Sequence, residues 1–126
     1  MTAELARRAA DGDTAPEILA WISESMRRHL AGDDLEAAFR LDRASRLRQR
    51  NRALLAAAAA LDDGSGPWAT AGRLAAAIRR HEARVWPLLR RDPLMALPPI
   101  DAALRRAFDT GQRLPRTQRK IYELLR

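Results

Sequence analysis

The chain predicts an all-α protein, a compact bundle of five to six helices that ends in a C-terminal helical hairpin, and three observations carry that expectation. Apolar residues recur at three- and four-residue intervals in five stretches, the spacing that lines one side of a helix. Each stretch is bounded by helix punctuation: Asp11-Gly12-Asp13, Gly32, Asp62 to Gly66, Asp92 to Pro99 and Gly111. Alanine, the strongest helix former, is abundant and fills Ala56 to Ala60 without a break. A chain of 126 residues is most simply one domain. Within it we distinguish acidic N-terminal helices over 1–36, basic central helices over 37–91 and the helical hairpin over 100–126.

Residues 2–10 predict a short helix stopping at Asp11-Gly12-Asp13. Thr14-Ala15-Pro16-Glu17 then reads as a helix start: a threonine N-cap, a proline where the missing donor does no harm, and a glutamate three residues on. The helix it opens is expected to run to about Ala31, with Ile18, Leu19, Ile22, Met26, His29 and Leu30 on one arc, Trp21 at its edge, and Gly32 as terminator. Asp33 or Asp34 caps the next element; capping accounts for the pair better than a metal site does. From Leu35 to Leu41 the apolar residues hold no steady face. From Ala44 onward Leu47, Leu54, Leu55, Ala58 and Leu61 do, so a kink or break is expected around Asp42 to Ser45.

The stretch Pro67 to Arg91 is the most two-sided in the chain. At about 100° per residue Leu74, Ile78, His81, Val85 and Leu89 share one face, and Arg73, Arg80, Arg84 and Arg91 form a stripe nearly opposite, with no carboxylate on it. A solvated helix face ordinarily mixes both signs, so this row reads as a surface for successive phosphates. Pro87 is expected to kink or end the helix just before it. Trp68 and Trp86 fall at the margin of the apolar face and read as core edges; His81 reads as a buried or half-buried histidine with a local hydrogen bond.

After the proline-rich connector Asp92 to Pro99, Ile100, Ala103, Leu104, Ala107 and Phe108 predict a helix that Gly111 ends. The last helix is expected to start at Pro115, burying Ile121 and Leu125 and turning Arg116, Arg119 and Lys120 outward. This pair resembles a helix-turn-helix, with Ala107 and Gly111 at the spacing of its small residue and its turn glycine. The resemblance implies that Arg116, Thr117, Gln118, Arg119 and Lys120 open a recognition helix. The second helix is out of step with it, because its usual apolar positions fall on Thr117 and Lys120 and Ile121 arrives one place late.

Charge points the same way. The formal net charge is +7, yet residues 1–36 hold eight acids against four arginines, and the remainder holds eight acids against nineteen basic residues. Arg40, Arg43, Arg46, Arg48, Arg50 and Arg52 form a collar around the leucine stripe, either as stems covering a thin alanine core or as further phosphate contacts. The expected function is therefore binding of DNA or RNA through phosphates, first by Arg73, Arg80, Arg84 and Arg91, then by Arg46, Arg50, Arg116, Arg119 and Lys120. The alternative is a structural subunit whose acidic first third docks on a partner or a second copy.

No cysteine is present, which removes disulfides, thiolate metal sites and cysteine nucleophiles. Two histidines far apart, the Asp pairs, Glu82 beside His81 and the single Tyr122 place no nucleophile, base and oxyanion donor at motif spacing. We expect no catalysis, no cofactor and no metal. The longest run without polar residues, Ala53 to Leu61, is too short to cross a bilayer, and a cytoplasmic location is the default expectation.

Overall fold

The computed structural model describes residues 2–126, and all regular structure among them is helical. The elements are α1 (Thr2–Ala10), α2 (Pro16–Leu30), α3 (Leu35–Ala38), α4 (Arg43–Leu61), α5 (Pro67–Arg80), a π-helical turn (His81–Val85), α6 (Trp86–Arg91), α7 (Pro99–Asp109) and α8 (Gln118–Leu125). Since α5, the π turn and α6 form one unbroken rod and α3 is a single turn, the bundle has six substantial helices.

The core is a four-membered group in which α4 pairs with α7, α5 pairs with α8, and the tight Asp62 to Gly66 turn folds α4 back on α5. Ala53, Ala57 and Ala58 of α4 and Ala103 and Ala107 of α7 are buried. Small side chains let these two helix axes approach closely, so the alanine run becomes the most extensive helix contact in the molecule. Leu54, Leu74, Ile78, Leu104 and Ile121 fill the centre without measurable exposure. α1 lies across α7, α4 and α2. Its Arg7 donates from Nε to the Asp109 carboxylate at 2.8 Å, and that carboxylate is only 2% exposed.

Helix ends follow local chemistry. Asp34 accepts from the Glu36 and Ala37 amides, both at 3.3 Å, and Asp42 accepts from Ser45 N–H at 3.2 Å and Ser45 O–H at 2.6 Å. The chain therefore breaks between α3 and α4, with Arg40 at φ 55° in the corner. Gly32 at φ 121° carries α2 into its exit, where the Asp33 amide reaches back to the Arg28 carbonyl at 3.1 Å.

Four local expectations need correction. Thr14 does not cap α2: Ala15 occupies the cap position, and its amide is taken instead by Asp13 Oδ1 at 2.9 Å. Of the kink or end expected at Pro87, the end does not occur. The preceding turn widens so that Trp86 N–H bonds the His81 carbonyl five residues back, and with that extra residue the rod continues to Arg91.

The arc proposed for α2 is also rotated. Ile18 and Ser25 are buried, while Leu19, Met26 and Leu30 are 53%, 39% and 81% exposed. The cause lies in α3: Arg28 donates twice to the Ala38 carbonyl at 3.0 and 2.8 Å, and Trp21 meets Phe39 edge-on with ring centres 5.3 Å apart. These contacts turn the flank carrying Trp21 and Arg28 inward and leave the leucines outside.

Finally, the C-terminal pair does not take helix-turn-helix form. α7 and α8 are joined by eight residues, Thr110 to Thr117, and pack chiefly on different helices. Leu114, buried halfway along, anchors this connector in the core. The last helix starts at Gln118, where Thr117 Oγ1 accepts the Lys120 amide at 3.2 Å, so Arg116 belongs to the connector.

Candidate nucleic-acid interface

Following each arginine of the proposed row separates structural cations from free ones. Arg73 is committed: Nε donates to the Leu61 carbonyl at 3.1 Å, and Nη2 meets Asp63 at 2.9 Å and Ser65 Oγ at 3.0 Å. It ties α5 to the α4–α5 turn and is not available to a ligand as the row required. Arg80, Arg84 and Arg91 are exposed and have no carboxylate or hydrogen-bond partner among the described residues. Arg46 is half-buried, with its Nε shut away from solvent and unpaired, which fits an arginine stem packed along the core edge.

The remaining predicted cations, Arg119 excepted, converge. Arg50 from α4, Arg116 and Thr117 from the connector and Lys120 from α8 line one depression of about 530 Å³, together with Arg113, Leu114 and Pro115. Among the described residues no carboxylate lines it. Arg113, which sequence reasoning passed over, enters because buried Leu114 fixes the connector beside α4; only that burial, one residue along, could have flagged it.

Arg50 sets the electrostatic character of this groove. Its Nε and Nη2 donate to Asn51 Oδ1 at 3.0 and 2.7 Å, and Nη1 donates to the Arg113 carbonyl at 2.6 Å. All three bonds end on neutral oxygens, and two of the five guanidinium N–H groups have no partner in them. Burial lowers its pKa from the ordinary arginine value, the direction expected for a cation that loses water without gaining an anion. Lys120 and Arg113 are exposed and unpaired among the described residues.

Arg116 is different, because both of its terminal nitrogens grip the Glu82 carboxylate, Nη2 to Oε1 at 2.8 Å. Glu82 is held below the usual carboxylate range, chiefly by the hydrogen bond from Arg116, and Arg116 is raised by the same contact. Arg119 stands on the outer surface of α8, 85% exposed, with Glu123 no closer than 3.8 Å.

A second depression, of about 290 Å³, contrasts with the first. It is lined by Arg7, Arg90 and Arg105 but also by Asp11 and Asp109, so opposite charges meet inside it and it offers no uniform field to a polyanion. His81 lines neither depression. It is fully buried, with Nδ1 3.1 Å from Asp101 Oδ1 and its ring stacked on Phe108 at 5.2 Å; the partner lies 20 residues away and is not local. Trp86 packs into the same cluster as expected, whereas Trp68 is 53% exposed.

Compared with known proteins, the chain matches no family model, no curated protein and no solved structure. Among the described residues no helix is long and apolar enough to cross a membrane.

Proposed function

We propose that this protein binds nucleic acid through its phosphate backbone, with the groove between α4 and the start of α8 as the principal contact. The observation that carries the reading is Arg50: a partly desolvated guanidinium, bonded among the described residues only to neutral oxygens, facing a depression that it shares with Arg113, Arg116 and Lys120 and whose described lining includes no carboxylate. Removing a cation from water without an anion is costly, and a phosphate oxygen supplies the missing partner. Arg80, Arg84 and Arg91 extend the positive surface along the α5–α6 rod, where they add long-range attraction.

The test is a titration against DNA and RNA at several salt concentrations. If Arg50, Arg113, Arg119 and Lys120 each neutralise one phosphate, log affinity falls with log salt with a slope of about −3 for a single strand and about −3.6 for duplex DNA. Failure to retain any nucleic acid at low salt, or an unchanged slope in Arg50→Ala and Lys120→Ala, rules the groove out.

One observation favours a second reading, assembly with another copy of the chain. Leu19, Ser23, Met26 and Leu30 of α2 are all exposed and alternate in steps of four and three, the seam of a coiled coil. Set antiparallel to its copy, this seam is self-complementary: Leu19 meets Leu30, and the small Ser23 meets Met26. Light scattering should then show a dimer that Met26→Glu dissociates; a monomer at all concentrations rejects it.

A further inference from the structure

Trp68 stands out among the three tryptophans. Trp21 and Trp86 are half-buried against Phe39 and Phe108, whereas Trp68 has more than half of its surface in water. It is nevertheless held. Tyr122 braces its ring edge-on, with ring centres 5.5 Å apart and planes at 78°, and its carbonyl accepts from Gln118 Nε2 at 2.9 Å. Gln118 in turn lies so close to α5 that a Cβ added at Gly72 would stand 2.8 Å from its Nε2. The α5–α8 packing therefore presents a large aromatic surface on fixed supports, and a preorganised ring loses little entropy when something stacks on it.

The position of this ring relates it to the groove. Gln118 and Tyr122 hold Trp68 from one side of α8, while Thr117 and Lys120 line the groove on the other; at about 100° per residue Lys120 and Tyr122 point nearly opposite ways. Arg119 lies between them on the outer surface. The separation is one helix, about 10 Å across with its side chains. A strand whose phosphates occupy the groove and pass Arg119 brings a neighbouring base over the indole. Only an unpaired base can do so, because the bases of a duplex already stack on each other and show no free face.

We propose that Trp68 is a base-stacking platform, and that the ligand of the α8 groove is a single-stranded nucleic acid. This rests on the phosphate-binding reading above and adds to it the strandedness of the partner and a contact that carries no charge. Stacking and phosphate contacts then separate experimentally, since only the latter release counterions.

The experiment uses the full chain with oligonucleotides of one length: single-stranded DNA, single-stranded RNA, the corresponding duplex and an abasic strand, which keeps the phosphates and lacks the bases. The unmodified protein should prefer a single strand, of either sugar, over the abasic strand by about 5- to 150-fold, the range for loss of one stacked base. Trp68→Ala should lose that preference with its salt slope intact, Trp68→Phe should keep most of it, and both should bind the abasic strand as the parent does. Circular dichroism melts of the two variants identify any loss that comes from unfolding. Equal affinity of parent and Trp68→Ala for the single strand at an intact slope, or tighter binding of the duplex, overturns the stacking proposal and leaves the phosphate groove standing. No binding to any of the four, or equal retention of a polyglutamate peptide, overturns both.

Discussion

Replacing Glu82 by glutamine should make this protein bind nucleic acid more tightly. Glu82 occupies both terminal nitrogens of Arg116, the one groove cation that a carboxylate neutralises among the described residues. Glutamine keeps the shape but removes the negative charge, so the guanidinium turns to the ligand and one more phosphate is neutralised. For a single strand each such contact steepens the salt slope by about 0.7, and for duplex DNA by about 0.9. Between about 50 and 200 mM salt, a fourfold span, a change of 0.7 makes the variant's advantage roughly 2.6 times larger at the lower concentration. A charge-assisted contact at this exposed position is worth about 1 kcal/mol, or roughly fivefold in affinity at low salt. Folding should be little affected, because both side chains of the pair are 40% or more exposed and such pairs contribute about 0–1 kcal/mol. Fluorescence anisotropy of a labelled oligonucleotide at four salt concentrations reads both quantities. If Glu82→Gln matches the parent in affinity and in slope, Arg116 is not on the phosphate path and the groove has been assigned wrongly.

Two further predictions concern stability. Burial raises the Asp109 pKa even though its hydrogen bond to Arg7 pulls the other way, so Arg7→Ala leaves a nearly buried carboxylate unpaired and should cost about 3 kcal/mol at neutral pH. Urea melts should show Arg7→Ala with Asp109→Asn to be less damaged than Arg7→Ala alone; equal damage denies the pair its role. His81 titrates below its ordinary range because burial outweighs the opposing pull of Asp101, with Arg105 and Arg80 adding to the lowering. Its unfolded form takes up a proton near pH 6.5 that the folded form refuses, so its contribution is complete above that pH and declines on acidification until the folded group also protonates. The urea midpoint should therefore fall between pH 7.5 and 5.5, and His81→Gln should remove that part of the decline; an identical decline in the variant refutes the assignment.

Much of the fold was legible because the signals were local. The cap at Asp34, the exit at Gly32 and the break ahead of α4 depend on hydrogen bonds within a few residues, and the apolar faces of α5, α7 and α8 follow a period that neighbours did not disturb. Where a distant segment intervened, legibility ended. α2 shows an arc of six apolar and half-apolar residues, yet its contacts with α3 decide which part of that arc is buried.

Composition, period and capping by themselves determined that this chain is helical, where most helices begin and end, and that its positive charge lies beyond the first third. Only the tertiary structure decided which cations are free: it gave Arg73 to Asp63 and Arg116 to Glu82, and it brought Arg50, Arg113 and Lys120 to one groove. The reason is range. A helical period reports neighbours within about one turn, whereas the partner of a long, flexible guanidinium is set by segments far apart in the chain, 63 residues from Arg50 to Arg113 and 102 from Arg7 to Asp109.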